Sequence, residues 1–375
     1  MLSEVQMGRR RPLMPPPPRL VLFVSLATSV KGMSRADGGA DAPLALMAPE
    51  KVGMRVMSFN ARLDTTQPDG TDGADGSDAW PHRRELLLAD ITARNPDLLG
   101  LQEVLPHMAA WLCERLPGYA FVNRGRLPLA AGSSTELMSL AGSNESTLIF
   151  FRKSRFSSLG SGQIWLSDTP GVPGSRGPDF RHPRIATWVR LRDSFGTAPG
   201  DGTLLFMNTQ LDDGTDSTQL FGARVILKFL EEERASRVQP VILTGDMNCH
   251  DDSAAYAALR SGTGTDPLVD THREVHPEPD EMEETSHPGW FSKLAQHGGP
   301  RTGERPTSPF GQRIDYIFAS ASGFKVVDAG IDRFEDKTAA TSEGSGLGEA
   351  DGGGRFGRGR FPSDHFAVLS TLEYA

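Results

Sequence analysis

The stretch VILTGDMNCH, Val241 to His250, decides the fold. Its first four residues are apolar or β-branched, which is typical of a strand, and Gly245 then leads to the polar pair Asp246 and Asn248. Because one residue separates that pair, an extended backbone would project both side chains from the same face. The stretch therefore predicts a polar site at a strand end, although Gly-Asp and Asn-rich strings also form ordinary turns.

The composition is that of a globular protein. A hydrophobic content of 38% in 375 residues is enough for a sizeable core. The net charge of −9 argues against a basic surface for duplex DNA, so a nucleic-acid substrate would depend on local contacts or a bridging metal. Cys113 and Cys249 are the two cysteines, and their spacing indicates neither a disulfide framework nor a thiolate zinc site. We expect Cys249 to pack in the core.

The sequence predicts a leader or disordered segment over residues 1–52 and one folded domain over residues 53–375. Leu20 to Val30 is an apolar run after an arginine-rich start, too short to span a bilayer and suited to a signal peptide. A transit peptide, a disordered basic tail or a later start codon fits as well. The localisation is therefore open between a targeted and a cytoplasmic protein. We find no membrane span and expect a monomer.

Polar side chains recur where predicted strands end. The strands with such ends are Met54 to Phe59 (Asn60, Arg62), Asp97 to Gln102 (Glu103), Leu204 to Thr209 (Asn208, Gln210) and Arg313 to Ala319, which contains Asp315. The other strands are Tyr119 to Asn123, Thr147 to Phe151, Ile164 to Ser167, Ile185 to Leu191 and Ala367 to Leu372. Helices are predicted at Trp80 to Arg94, Met108 to Leu116, Ser217 to Arg237 and Ser253 to Leu259. A buried Asp315 needs a partner, because an unpaired carboxylate is costly to bury.

This pattern predicts one large domain built on two sheets. About ten to twelve strands, few helices and no dividing linker favour one domain over two. Oxygen ligands without cysteine suit a hard cation such as Mg²⁺ or Mn²⁺, which carboxylates hold together with water and substrate phosphate. The pattern therefore indicates a phosphate ester as the substrate.

Five ordered motifs carry a resemblance to a known family. They are SFNAR (Ser58 to Arg62), LQEV (Leu101 to Val104), TGDMN (Thr244 to Asn248), RIDYIF (Arg313 to Phe318) and SDHF (Ser363 to Phe366). Together they resemble the endonuclease/exonuclease/phosphatase superfamily, and Gly162 to Ser175 and Pro183 to Leu191 resemble its bacterial and fungal members. The resemblance covers Met54 to the C-terminus. It implies an α/β (α+β) fold, a four-layer αββα sandwich with two mostly antiparallel or mixed sheets face to face and helices outside.

The resemblance also implies site residues. Those at the metal, Mg²⁺ or Mn²⁺, would be Glu103, Asn60 and Asp364. Asp246 would orient or deprotonate the attacking water, and Asn248 would hold the phosphate. His365 would contact the phosphate, while Asp315 would fix its tautomer and raise its pKa. We rank hydrolysis with one metal first and leave a second metal near Asp246 and Asn248 open.

The sequence departs from the family at Gln210. Many members have a histidine there, which helps to bind phosphate or to protonate the leaving group, and a carboxylate matching Glu145 supports it. Glutamine can donate a hydrogen bond but cannot transfer a proton at neutral pH. Glu145 therefore lacks its expected partner. Gln210, Glu145, Arg184 and Arg62 are candidate substrate-binding residues, as are Trp80, Arg83, Arg181 and His182.

The favoured function is a divalent-metal-dependent phosphoesterase, acting on RNA ends as a 3′–5′ exonuclease or on a small phosphorylated metabolite. A catalytically weakened pseudoenzyme of the same fold is one alternative, motivated by Gln210. A secreted lipid phosphodiesterase is another, and there the sequon that begins at Asn144 would place a glycan beside Glu145.

Overall fold

The computed structural model describes residues 53–64, 79–128, 144–195, 198–264, 266–280, 284–287, 313–333 and 361–375. The predicted leader over residues 1–52 lies outside these ranges, so it stays a prediction. Most of the glycine-rich loop over residues 63–78, residues 129–143 and the segment 341–360 also lie outside them. Residues 50–375 form one compact unit.

Twelve strands in the described residues form two six-stranded mixed sheets. The first sheet has the order β11-β12-β1-β2-β4-β3 and the second has the order β5-β6-β7-β8-β10-β9. The strands of the first sheet are β1 (Met54–Asn60), β2 (Leu98–Val104), β3 (Tyr119–Val122), β4 (Ser146–Arg152), β11 (Phe324–Asp332) and β12 (Ala367–Tyr374). Those of the second are β5 (Phe156–Trp165), β6 (Ile185–Asp193), β7 (Thr203–Gln210), β8 (Val241–Asp246), β9 (Leu268–Asp270) and β10 (Asp315–Ser320).

Four helices cover the outer faces of the two sheets, and two short helices accompany them. In chain order the six are α1 (Trp80–Arg94), α2 (Pro106–Arg115), the short α3 (Pro199–Gly202), α4 (Asp216–Ser236), α5 (Ala254–Ser261) and the short α6 (Thr271–Val275). The four longer ones lie within two residues of their predicted bounds. Thr215 begins α4 with a reciprocal capping box through Thr218, which satisfies amide groups that the helix start leaves free. None of the helices in the described ranges is long and apolar enough to cross a membrane.

Alternate residues along the central strands supply three hydrophobic clusters. Val56 and Phe206 point into the cluster between the sheets. Met57 packs under α1 and α2, whereas Met207 packs under α4 and α5. A strand buried on both faces in this way needs apolar residues at successive positions. The layers are therefore helix, sheet, sheet and helix, and the predicted sandwich is confirmed.

A buried polar side chain joins the two sheets near the ends of β2 and β7. Asn208 lies fully buried, donates through Nδ2 to the Leu101 carbonyl at 2.9 Å and accepts from Gln102 Nε2 at 2.7 Å. Thr244 Oγ1 donates to Asn208 Oδ1 at 3.1 Å. Gly100 leaves room for this contact, since a Cβ there would lie 2.2 Å from Thr244 Oγ1. Asn208 therefore links the sheets instead of reaching the site.

Several strand predictions were wrong or incomplete. β5 begins at Phe156, whereas the sequence predicted a strand only from Ile164 to Ser167. β5 is an edge strand of the second sheet, and its first half is rich in serine and glycine. An exposed face of an edge strand needs no apolar side chains. Strands β9 and β11 and the short helix α6 were not predicted.

Asp90 of α1 is a buried acid that makes the stability of the fold depend on pH. Neither of its oxygens has a hydrogen-bond partner among the described residues. Burial, followed by the nearby Asp332 carboxylate, raises the pKa of Asp90 to about 8, although Arg94 Nε lies 3.7 Å away. The folded protein therefore retains a proton that the unfolded chain releases near pH 4.

We expect the contribution of Asp90 to the unfolding free energy to fall as the pH rises from about 4 to about 8, because only the folded state holds the Asp90 proton in that window. Asp90→Asn should remove this dependence. Its unfolding free energy should exceed that of the wild type by roughly 2 kcal/mol or more at pH 8 and differ little from it near pH 4. Urea unfolding in EDTA at several pH values measures the difference. A difference that stays constant from pH 4 to pH 8 would contradict the expectation.

Candidate active site

The chain turns where β8 ends, at Asp246. Asn248 has a φ of 49°, and its backbone N–H donates to Asp246 Oδ1 at 3.0 Å. The prediction of an extended backbone with both side chains on one face is therefore wrong, because the side chain of Asp246 itself stabilises a turn. Asp246 Oδ2 remains directed at the neighbouring strand ends. Asn248 Nδ2 donates to the Leu211 carbonyl at 3.0 Å, which uses one of its amide hydrogens.

The adjacent ends of β1 and β2 supply Asn60 and Glu103. These strands run parallel, with Asn60 opposite Gln102. Asn60 Nδ2 lies 3.0 Å from both Glu103 Oε1 and Asp246 Oδ2, while its Oδ1 accepts from the Arg62 backbone N–H at 2.9 Å. Glu103 and Arg62 have φ values of 60° and 55°, an uncommon backbone conformation that is retained most often at functional sites. Carboxylates from the two sheets therefore converge on one amide.

Gln210, at the end of β7, joins the same cluster. Its Nε2 lies 3.0 Å from Glu103 Oε1 and 3.1 Å from Asp246 Oδ2. Its Oε1 accepts from Arg184 Nη1 at 2.8 Å. The residue that stands in place of the expected histidine is thus at the centre of the site.

Glu145 has a partner other than the expected histidine. Arg126 Nη2 lies 2.5 Å from Glu145 Oε1. Glu145 thus pairs with an arginine, which the sequence did not indicate because Arg126 comes from a segment predicted as loop. Both residues line a small cavity together with Arg184 and Gln210, so the pair lies next to the carboxylate cluster.

His365 and Asp315 form a buried pair. His365 Nδ1 donates to Asp315 Oδ2 at 2.8 Å, and Ser286 Oγ donates to the same oxygen at 2.8 Å. Asp315 lies opposite Asp246 in the register of β8 and β10. This arrangement gives Asp315 the partner that its burial requires and places His365 beside Asp246.

Asp364 lies on the other side of His365. Arg62 reaches both acids at this point, with Nε 3.6 Å from Asp364 Oδ2 and Nη1 3.9 Å from Glu103 Oε2. The three residues expected near the metal, Glu103, Asn60 and Asp364, therefore surround Arg62. This position makes Arg62 a source of positive charge between the two acids.

Two residues of the site, Ser286 and His287, were missed in a segment that the sequence describes only as polar loop. The His287 ring lies over His365 with 4.4 Å between ring centroids, and its Nε2 is 4.0 Å from Asp364 Oδ2. The backbone N–H of Phe366 donates to the Ser286 carbonyl at 2.7 Å, which fixes this segment to the SDHF motif. The only signal in the sequence was the run Thr285, Ser286 and His287, three polar residues without a periodic pattern.

Several other candidates lie away from the centre. Trp80 is part of the core under α1, and Arg83 is buried and donates to the carbonyls of Ala61, Arg62 and Leu63. Arg83 thus holds the turn after Asn60 and does not face a substrate. Arg181 and His182 are exposed. Asn144 is buried and its Nδ2 donates to the Leu127 carbonyl at 3.1 Å, which is incompatible with a glycan on that nitrogen in the folded protein.

Charge interactions within the site shift its pKa values. Burial, followed by the Asp315 carboxylate, raises the pKa of Asp246 to about 7. Burial would lower the pKa of His365, but Asp315 raises it to about 10, so this imidazole is positively charged at neutral pH. Burial opposes ionisation of Glu103 and Asp364, yet Arg62 and His365 hold the pKa of both below the usual range. Burial and the charge of His365 lower the pKa of His287 to about 4.

The charges at this centre fit a divalent cation. The acids are Glu103, Asp246, Asp315 and Asp364, and the cations that act on them most strongly are Arg62 and His365, with a smaller effect from Arg83. Full ionisation of the acids leaves an excess of negative charge. Asp315 lies opposite Asp246, and Asp315 Oδ1 is buried without a hydrogen-bond partner in the described ranges. Oxygen donors of this kind suit Mg²⁺ or Mn²⁺.

Comparison with known proteins gives one family and many similar structures. The family model described as Endonuclease/Exonuclease/phosphatase family matches residues 57–365. An endonuclease/exonuclease/phosphatase family protein from Bacteroides thetaiotaomicron is 26% identical, with a TM-score of 0.62 over 88% of this chain and 97% of that one. A mannosyl-6-phosphatase of the same organism is also 26% identical, with a TM-score of 0.61 over 85% and 99%. The human Nocturnin catalytic domain with bound sulfate, at 18% identity and a TM-score of 0.55 over 88% and 97%, shares the fold. A search of curated proteins finds no match.

Proposed function

We propose a function for this chain, which belongs to the endonuclease/exonuclease/phosphatase family. Members of this family are hydrolases that act on phosphate esters. The chain hydrolyses a phosphomonoester or phosphodiester by in-line attack of water, with Mg²⁺ or Mn²⁺ as cofactor. The observation that carries this proposal is the convergence of Glu103, Asp246 and the Asp315–His365 pair on one centre.

Glu103, Asn60 and Asp364 would hold the cation. Their support is the excess negative charge of the centre and the low pKa of both acids, which keeps them ionised at neutral pH. When bound, the cation supplies charge neutralisation for the phosphate and polarises its oxygens. The Leu63 backbone N–H donates to Glu103 Oε2 at 3.0 Å, so Oε1 is the oxygen left to face the centre.

Asp246 orients the attacking water and accepts its proton. A pKa of about 7 suits a general base at neutral pH, because the group is partly ionised yet still basic. The turn fixes Oδ1 through the Asn248 N–H, so Oδ2 faces the phosphate. Asn248 contributes its free amide hydrogen to a phosphate oxygen.

His365 stabilises the charge of the phosphoryl group. Its Nδ1 is committed to Asp315, which leaves Nε2–H to donate to a phosphoryl oxygen. Asp315 keeps the ring positively charged and fixed in orientation, and Ser286 in turn orients Asp315. A fixed donor of this kind lowers the barrier without reorganising during the reaction.

The substrate that fits best is a small phosphorylated metabolite of the sugar phosphate type. One solved structure of similar fold, which covers 85% of this chain at 26% identity, is a mannosyl-6-phosphatase. The net charge of −9 disfavours long polyanions. Cleavage of RNA ends is the alternative outcome of the same experiment.

The experiment is a substrate panel with purified protein and Mg²⁺ or Mn²⁺. Hexose 6-phosphates, other phosphomonoesters, phosphodiesters and short RNA would be compared, with Asp246→Asn as the blank for contaminating phosphatases. The proposal predicts metal-dependent release of phosphate, strongest for a sugar phosphate. Silence on every ester, combined with no Mg²⁺ binding in calorimetry, would favour a pseudoenzyme. Preferential cleavage of a lipid diester would redirect the substrate assignment.

Mg²⁺ should stabilise the folded protein, because it neutralises the excess charge of a site that the unfolded chain lacks. At a Mg²⁺ concentration of about 100 times Kd, linkage predicts about 2.7 kcal/mol, a rise in melting temperature of a few degrees. Glu103→Gln should lose most of this rise. Glu233→Gln, on the outer helix α4, is the matched control and should retain it. Equal rises in the two variants would contradict the assignment of Glu103.

A further inference from the structure

Arg184 connects the second sheet to the reaction centre through Gln210. It lies just before β6 and its side chain is only 8% exposed. Nη1 donates to Gln210 Oε1 at 2.8 Å, and Nη2 donates to Asp213 Oδ1 at 2.7 Å. A second acid, Asp212, has an oxygen 3.8 Å from Arg184 Nε. The guanidinium is thus held from one side by acids and presents one N–H to a single side-chain amide.

This contact settles which end of the Gln210 amide faces the site. A guanidinium has donors and no acceptor, so the group that meets it must be the amide oxygen. The amide nitrogen then points towards Glu103 Oε1 and Asp246 Oδ2, both of which are acceptors. A flipped amide would place donor against donor at Arg184 and oxygen against two carboxylates. One orientation alone satisfies all three partners.

The orientation has a chemical consequence at the place where a histidine was expected. Gln210 presents two N–H groups to the centre, which donate to Glu103 Oε1 and Asp246 Oδ2, and it presents no oxygen there. It also carries no proton that it could give up near neutral pH. Gln210 is therefore a neutral donor. The direction of its N–H groups depends on Arg184, which holds the amide oxygen.

We propose that Arg184 is a positioning residue that fixes Gln210 as a hydrogen-bond donor to Glu103 Oε1 and Asp246 Oδ2, so that Arg184 and Gln210 act as one unit that orients these two carboxylates. This inference rests on the proposed function. Arg184 does not touch the substrate in this account. Asp213 and Asp212 hold Arg184, Arg184 holds the amide oxygen, and the amide nitrogen holds Glu103 and Asp246.

The chain offers a matched pair for comparison. Arg190 of β6 also donates to a glutamine, from Nε to Gln239 Oε1 at 3.2 Å, and it pairs with Glu233. This pair lies towards the other end of β6, away from the reaction centre. Arg190→Met therefore reports what the loss of an arginine–glutamine contact does to the fold alone.

The test is a double-mutant cycle with Arg184→Met, Gln210→Met and the double variant, measured as kcat/KM on the best ester in Mg²⁺. Each single change should lower kcat/KM by roughly 10- to 100-fold, since each removes a hydrogen bond that involves a charged group. The double variant should lie within about threefold of the worse single variant. Arg184→Lys should restore part of the activity with Gln210 present and none in the Gln210→Met background. Arg190→Met should stay within threefold of the wild type.

Losses that multiply in the double variant, or equal rescue by lysine in both backgrounds, would overturn the inference while leaving the proposed function intact. If the wild type hydrolyses no ester, the proposed function fails, and calorimetric titration with Mg²⁺ alone decides the inference separately. Similar weakening of Mg²⁺ binding by each single change, with no further weakening in the double variant, supports the unit. Mg²⁺ that does not bind the wild type, or binds all variants equally, overturns it.

Discussion

Asp246→Asn should lower kcat by about 10³-fold on any ester that the wild type hydrolyses, in line with the loss of a general base. The variant keeps the shape of the side chain and can still accept the Asn248 N–H through one oxygen. Its other terminal atom becomes an amide nitrogen and faces the donors of Asn60 and Gln210, where the wild type has a carboxylate oxygen. Water then loses its proton acceptor.

Stopped-time assays of phosphate release at saturating substrate measure this loss. Asp193→Asn is the matched control, because Asp193 is also a buried acid that accepts a backbone N–H two residues ahead. Asp193 is the last residue of β6 and lies at the end of the sheet's strands that is opposite to Asp246. There it pairs with Arg155. The control should lose stability and keep kcat within a few fold. A value of kcat within tenfold of the wild type in Asp246→Asn would exclude Asp246 as the base.

Asp315→Asn should reduce both activity and stability. The change leaves His365 without the carboxylate that raises its pKa most, so the pKa of the ring falls and its orientation is no longer fixed. We expect a loss of about 10²- to 10⁴-fold in kcat/KM, and a loss of stability of about 3–5 kcal/mol at pH 6, as for other broken buried pairs. Among the described residues, no other carboxylate forms a hydrogen bond with His365 Nδ1.

The pH dependence of this stability follows from the raised pKa of His365. Because the folded pKa of about 10 exceeds the unfolded value near 6.5, the contribution is fully present below pH 6.5 and is lost as the pH rises towards 10. The difference in unfolding free energy between wild type and Asp315→Asn should therefore shrink from pH 6 to pH 10. Guanidinium unfolding in EDTA tests this, and a difference that grows over that range would contradict the pairing.

The layers of this fold are readable from the sequence because burial on both faces leaves a clear pattern. Val56 and Met57 face opposite hydrophobic clusters, as do Phe206 and Met207, so successive apolar residues mark a central strand. Polar residues directly after such strands then stand out. The position of Asn60 beside Glu103, and that of Gln210 beside Asp246, follow from this, since parallel neighbours end on the same side of a sheet.

The parts that could not be predicted depend on side chains that meet across the fold. Ser286 and His287 lie in a polar segment with no period, and only contacts with Asp315 and His365 give them a place in the site. Arg83 looked available to a substrate because an arginine near a loop is usually exposed. The structure instead buries it against three backbone carbonyls. Edge strand β5 was half missed, because its exposed face carries small polar residues.

The central claim is that a divalent cation held at Glu103 enables this centre to hydrolyse phosphate esters. The most direct measurement is the rate of phosphate release from a hexose 6-phosphate as Mg²⁺ is titrated into EDTA-treated protein, for the wild type and for Glu103→Gln. The account predicts that wild-type activity appears with Mg²⁺ and disappears with EDTA, and that Glu103→Gln stays at least 10²-fold slower at every Mg²⁺ concentration. Activity that survives EDTA, or a Glu103→Gln titration that matches the wild type, would contradict it.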